Sequence, residues 1–149
     1  MSFISQTLAE FKPDQTLIKE YKNWYVLLRE KQVTLGSLIL LCKDNVDQFS
    51  QITPESIIEL GAVTKQLETA LKHGFCFDKI NYLMLMMVDP AVHFHVIPRY
   101  STDRECVGVQ FKDFGWDTKL PEVRMTNEIT SDTFQAIRLH IRNLFESNS

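Results

Sequence analysis

The sequence is short of the residues that mark several protein classes. It holds three cysteines, Cys42, Cys76 and Cys106, odd in number, far apart and without a CxxC pair. That excludes a disulfide framework and a zinc-finger pattern, and it fits a reducing compartment, so a cytoplasmic protein is expected. Five glycines and five prolines in 149 residues are too few for a collagen-like or low-complexity chain. No apolar run reaches the length of a membrane span. The start, MSFISQTLAEFKPDQ, lacks the basic-then-apolar layout of a secretory signal. Positive charge is not in excess: 16 Lys and Arg stand against 19 Asp and Glu, for a net charge of −3. Nucleic acids and anionic membranes recruit strongly basic faces, so neither is expected as the main partner.

What is present suits one ordinary domain spanning 1–149. A chain of this length buries roughly 70% of the surface it exposes when unfolded, enough for a core without staples. NWYVLLRE (Asn23 to Glu30) reads as a strand, and SLILLC (Ser37 to Cys42) as a second, nearly all apolar, joined to it in a hairpin. The clearest helix is TPESIIELGAVTKQLETALKHG. Thr53 caps it, Pro54 fits its first position, and Ile57, Leu60, Val63, Leu67 and Leu71 form its apolar stripe. Gly74 is expected to end it. A third strand is expected over Lys79 to Val88, then a turn at Asp89-Pro90, then a fourth strand, VHFHVIPRY. A short strand near Val107 to Phe111 and a last helix over Ser131 to Phe145, capped by Ser131, complete the pattern. The first twenty residues are weakly patterned, with a short helix after Pro13. Two strands, a helix, two strands and a helix predict an antiparallel α+β domain.

Two of the four histidines lie in VHFHVIPRY. Side chains alternate along a strand, so His93 and His95 share one face while Val92, Phe94 and Val96 fill the core on the other. Such a pair has three readings. It can be a solvated strand face. It can be part of a metal site, which needs a third ligand that no neighbouring residue before Asp103 supplies. Or it can serve phosphate chemistry, one imidazole as nucleophile and the other donating to phosphoryl oxygens or the leaving group.

HFHVIPR resembles the end of the histidine triad (HIT) motif, in which three histidines alternate with apolar residues on one strand. The surroundings are similar too: WYVLLREKQVTLGSLILLCK resembles the family's hairpin, TPESIIELGAVTKQLETAL its long helix, and KINYLML the strand leading into the motif. The match covers about Asn23 to Tyr100, leaving 101–149 as a C-terminal extension. The resemblance implies a HIT-like α+β fold, a homodimer and nucleotide binding. It implies chemistry on the α-phosphate of a nucleoside phosphoramidate, nucleoside phosphosulfate or dinucleoside polyphosphate, with no cofactor and no metal. His93 takes the middle place, that of the nucleophile, and His95 the third. The first place falls on Ala91, whose backbone carbonyl remains available to orient His93. The loop LMLMMVDPA replaces the family's polar phosphate-binding residues, and Arg29 stands where relatives hold the ribose.

Asn81 and Arg99 are further substrate-binding candidates. Trp24 and Trp116 read as packing residues, and FKDFGWD (Phe111 to Asp117) as a rim over the site. Met84, Met86 and Met87 suit an adaptable core or interface. The alternative to an enzyme is a nucleotide-binding or adaptor dimer that keeps the fold without turnover. A small sheet carrying a strand as apolar as SLILLC would leave an exposed edge, which also points to a dimer.

Overall fold

The computed structural model describes residues 2–148. Helix α1 (Phe3–Phe11) and a single turn, α2 (Pro13–Thr16), lead into strand β1 (Leu17–Glu20). Strands β2 (Trp24–Leu28) and β3 (Leu38–Cys42) form the expected hairpin. Helix α3 (Pro54–Phe75) follows, then β4 (Lys79–Leu83) and β5 (His93–Arg99). A small hairpin, β6 (Arg104–Cys106) and β7 (Val109–Phe111), precedes helix α4 (Ser131–Ser147). The five-stranded sheet runs β1-β2-β3-β5-β4 and every neighbouring pair is antiparallel. The expected antiparallel α+β architecture is the observed one.

β3 explains its own composition. It lies between β2 and β5, and all five of its residues are buried. A strand covered on both faces cannot alternate apolar with polar and reads as a continuous apolar run. Leu38 and Leu40 face the main core with Trp24, Val26, Val92 and Val96, beneath Val63, Leu67 and Leu71 of α3 and Ile137, Ile141 and Phe145 of α4. Ile39 and Leu41 face the other way, with Leu27 and Ala91, beneath Phe3, Ile4, Leu8 and Phe11 of α1. The apolar strand is therefore not the exposed edge expected from its sequence; the edges are β1 and β4.

Several boundaries differ for physical reasons. β4 stops at Leu83, the last residue paired with β5, rather than at Val88. Met86 has φ 54°, a left-handed conformation that an extended strand cannot pass through. α3 is capped as expected, Thr53 Oγ1 accepting from Ser56 N at 3.2 Å. It does not end at Gly74 but runs to Phe75, with Cys76 taking the left-handed cap at φ 51°. Gly74 is small for a different reason: a Cβ there would lie 2.3 Å from Leu144 Cδ1, so glycine lets α4 approach α3. α4 is capped by Thr130 rather than Ser131. α1 and β1 lie in the segment read as weakly patterned. Ile57, placed on the apolar stripe of α3, is instead 42% exposed. No helix among the described residues is long and apolar enough to cross a membrane.

Candidate active site

The β3–β5 register sets Leu41 opposite His93 and Ile39 opposite His95. Both imidazoles therefore stand on the α1-covered face, while Val92 and Val96 point into the main core, as strand alternation requires. Their ring centroids are 5.2 Å apart, with the planes at 79°.

His93 Nδ1 lies 2.8 Å from the carbonyl oxygen of Ala91. A carbonyl only accepts, so Nδ1 carries the proton and Nε2 carries the lone pair. The ring is buried, 2% exposed, with Phe11 of α1 packed edge-on at 5.5 Å. The backbone around it is tied to α1 as well: Ala91 N donates to the buried hydroxyl of Thr7 at 3.0 Å.

His95 has the opposite arrangement. Arg29 Nε donates to His95 Nδ1 at 3.4 Å. A guanidinium only donates, so in the neutral ring the proton sits on Nε2. Burial, then the positive charge of Arg29, then His93, push the His95 imidazole down to about 4, so it is neutral at physiological pH. Arg29 is itself held by Nη1 donating to the Lys31 carbonyl at 2.7 Å, and burial lowers its own pKa.

A cavity of about 270 Å³ opens beside His95, lined by residues that include Glu10, Phe11, Leu27, Arg29, Lys31, Ile39, Val88 and Asp89. Leu27, Ile39 and Phe11 form an apolar wall, and the charged lining mixes Arg29 and Lys31 with Glu10 and Glu30. Asp89 adds a carboxyl that burial pushes up in pKa, a shift opposed by His93 and reinforced by Glu10. The 84–92 connection offers no hydroxyl or amide side chain; Leu85, Met87 and Val88 are exposed at 51%, 86% and 85%. Among the described residues no three His, Cys, Asp or Glu side chains form a group able to hold a metal ion.

The structure thus brings together three of the five residues singled out from sequence: Arg29, His93 and His95. Asn81 and Arg99 meet elsewhere. Arg99 is buried, donating to both oxygens of Asp113 at 2.7 and 3.2 Å and to Asn81 Oδ1 at 2.9 Å. Two loop carbonyls, of Lys119 and Leu120, take its remaining donors. The segment Phe111 to Asp117 is not a rim over the histidines. Asp113 anchors it to Arg99, and Trp116 lines a separate cleft with Lys79, Asn81 and Lys119. Trp24 is a core residue, its Nε1 donating to the Ser56 carbonyl. Sequence reasoning missed Phe11, Glu10, Lys31 and Asp89. Phe11 lies in an unpatterned stretch, and Asp89 was read only as a turn residue beside Pro90.

The sequence matches the HIT domain over residues 10–102. Solved structures share the fold. A hypothetical histidine triad nucleotide-binding protein from Sulfolobus tokodaii superposes with a TM-score of 0.71 at 18% identity, over 95% of this chain and 90% of that one. A histidine triad protein from Marinobacter aquaeolei gives 0.66 at 20% identity, over 95% and 96%. A zinc-bound histidine triad family protein from Mycobacterium smegmatis gives 0.61 at 16% identity, over 97% and 99%. No curated relative matches the sequence significantly.

Proposed function

The chain belongs to the HIT domain family, and on that premise we propose that it is a nucleotide hydrolase or nucleotidyl transferase acting through His93. Ala91 takes the first triad place, and its carbonyl does the orienting. One observation carries the reading: the 2.8 Å contact between His93 Nδ1 and the Ala91 carbonyl, which fixes the ring with its Nε2 lone pair available. Nε2 attacks the α-phosphorus of a nucleoside phosphoramidate or dinucleoside polyphosphate. A P–N bond forms to His93 as the bond to the leaving group breaks. His95, held neutral with its proton on Nε2, donates to a phosphoryl oxygen or to the departing atom. Water then attacks the same phosphorus, releasing nucleoside monophosphate and the free imidazole.

Arg29 serves twice in this scheme. It fixes the His95 tautomer and adds positive charge to the cavity wall. The nucleoside sits against Leu27, Ile39 and Phe11. Asn81 and Arg99 lie outside this cavity and take no direct part in the scheme. No metal or cofactor enters any step.

The protein acts as a homodimer in the cytoplasm. On the face of the sheet away from the histidines, a groove of about 440 Å³ is lined by Leu40, Phe49, Ile57, Leu60, Tyr82 and Phe94. Phe49 and Ile57 are exposed at 53% and 42%, beside the unpaired edge of β4. Covering that face with a second copy would bury apolar surface and protect the edge.

A second reading is a nucleotide-binding or adaptor dimer without turnover. The burial of His93 beside Phe11 and the apolar 84–92 connection favour it, since His93 does not line the cavity that opens beside His95. The deciding experiment is incubation with adenosine and guanosine phosphoramidates and dinucleoside polyphosphates. Released monophosphate supports catalysis; binding without release supports the adaptor.

A further inference from the structure

The cleft of about 290 Å³ lined by Lys79, Asn81, Arg99, Trp116 and Lys119 shares no residue with the histidine cavity. We infer that it is a second binding site, built for a nucleoside phosphate. Its walls carry no carboxylate, and neither Lys79 nor Lys119 has an ion-pair partner among the described residues. Of the acidic groups nearby in sequence, Asp78 and Asp113 are engaged, and the exposed Asp117 does not line the cleft. Asp78 accepts from Ser101 N and Oγ and lies 3.8 Å from Arg104, and Asp113 is taken by Arg99, Tyr100 N and Gly115 N. Two ammonium groups without ion-pair partners on one cleft attract an anion.

The cleft is also preformed. Arg99 is 3% exposed and all its donors are placed, so it acts as a clasp rather than a ligand. It ties β5 to Asn81 on one side and to the carbonyls of Lys119 and Leu120 on the other. Lys119 is held at φ 70°, a conformation unusual for a residue with a side chain. Because Arg99 can only donate, Asn81 faces it with Oδ1 and keeps its NH₂ donors for a ligand. Trp116 is half-buried, and its indole forms the cleft's one aromatic surface. An indole beside ammonium and amide donors suits a ligand that is aromatic at one end and anionic at the other. The volume lies near the lower end for small-molecule sites, about 300–1,000 Å³.

Position relates this cleft to the histidines without merging the two. Along the β4–β5 ladder Leu83 faces His95, Asn81 faces Ile97 and Lys79 faces Arg99. At about 3.4 Å per residue, Asn81 and Lys79 lie roughly 7 and 14 Å along the strand from His95, on the same face of the sheet. A nucleoside phosphate can therefore arrive as the distal half of a substrate whose α-phosphate sits at the histidines, or as a free nucleotide.

The test uses the fluorescence of the full-length protein. Trp24 is fully buried in the core, so quenching by a ligand reports Trp116. Titration with ADP should give saturable quenching that survives in a His93→Ala, His95→Ala variant, and adenosine should bind at least tenfold more weakly. The Lys79→Gln, Lys119→Gln double variant, with a circular dichroism spectrum like the wild type, should lose at least tenfold in ADP affinity, and Trp116→Phe should lose the signal. If ADP affinity is the same in the double variant, or adenosine binds as well as ADP, the inference is wrong. Turnover separates the two sources. A KM raised in the lysine variant for dinucleoside polyphosphates but not for phosphoramidates identifies the distal half of a substrate. Unchanged KM values with weakened ADP binding identify a free nucleotide.

Discussion

His93 and His95 stand side by side, ring centroids 5.2 Å apart, in opposite tautomers: the Ala91 carbonyl holds the proton of His93 on Nδ1, and Arg29 holds that of His95 on Nε2. One ring offers a lone pair where the other offers a donor. Nucleophilic attack on phosphorus needs that combination, because the attacking atom must be unprotonated while the accumulating charge meets an N–H.

The two rings should therefore fail differently. His93→Ala is expected to abolish turnover while leaving nucleotide affinity nearly unchanged, because bond formation acts in the transition state alone. His95→Ala is expected to lower kcat by about 10²–10³, the usual loss for one stabilising donor. Steady-state kinetics with parallel binding measurements check both; similar kcat losses in the two variants would contradict the division of roles.

Arg29→Gln should release His95. With the nearby positive charge gone, the His95 pKa should rise from about 4 but stay below 6.5, because burial, the larger cause of the shift, remains. Nitrogen-15 chemical shifts of the His95 ring across a pH titration read the pKa and the tautomer together. An unmoved titration would show that burial alone sets the ring's state.

The depressed His95 pKa also makes stability depend on pH. Between about 4 and 6.5 the unfolded chain binds a proton at His95 that the folded chain refuses, so stability should fall as pH drops from 6.5 toward 4 and be insensitive to this group above 6.5. Urea midpoints of the wild type and His95→Gln across this window isolate the effect from titrating carboxylates. The variant should show the shallower slope.

The Arg99–Asp113 pair is almost wholly buried, with side chains 4% and 1% exposed. Asp113→Ala leaves a buried guanidinium without its counter-charge, and the expected cost is about 3–5 kcal/mol in urea unfolding. A loss below 1 kcal/mol would mean that water reaches the pair when the carboxylate goes.

Ile57→Glu should turn a dimer into a monomer, because it places a charge in the exposed apolar groove on α3. Sedimentation at micromolar concentration is expected to show twice the 17.4 kDa chain mass for the wild type and the chain mass for the variant. Wild type sedimenting as a 17.4 kDa species would contradict the dimer.

How far the sequence could be read depended on whether the deciding contact was local. Thr53 and Pro54 announced α3, and strict alternation placed His93 and His95 together, because caps and strand faces are fixed within a few residues. The role of Gly74 was not local: it depends on Leu144 in a helix seventy residues later. α1 was hidden because its apolar residues, Phe3, Ile4, Leu8 and Phe11, are meaningful only against Leu27, Ile39 and Leu41. Arg99 was recognisable as a polar residue near the motif, but its partner Asp113 comes after a small hairpin, and that pairing turns a candidate phosphate ligand into a clasp. Arg29 was noted at its strand end, yet its contact with His95 spans 66 residues of sequence and appears only once β2, β3 and β5 are in register.

The central claim, that His93 Nε2 becomes covalently bonded to phosphorus, is tested most directly by rapid quench with α-³²P-labelled substrate. The wild type should trap label on the protein, acid-labile and alkali-stable as a phosphorus–imidazole bond is, and His93→Ala should trap none. Turnover without trapped label, or label that persists in His93→Ala, would contradict the account.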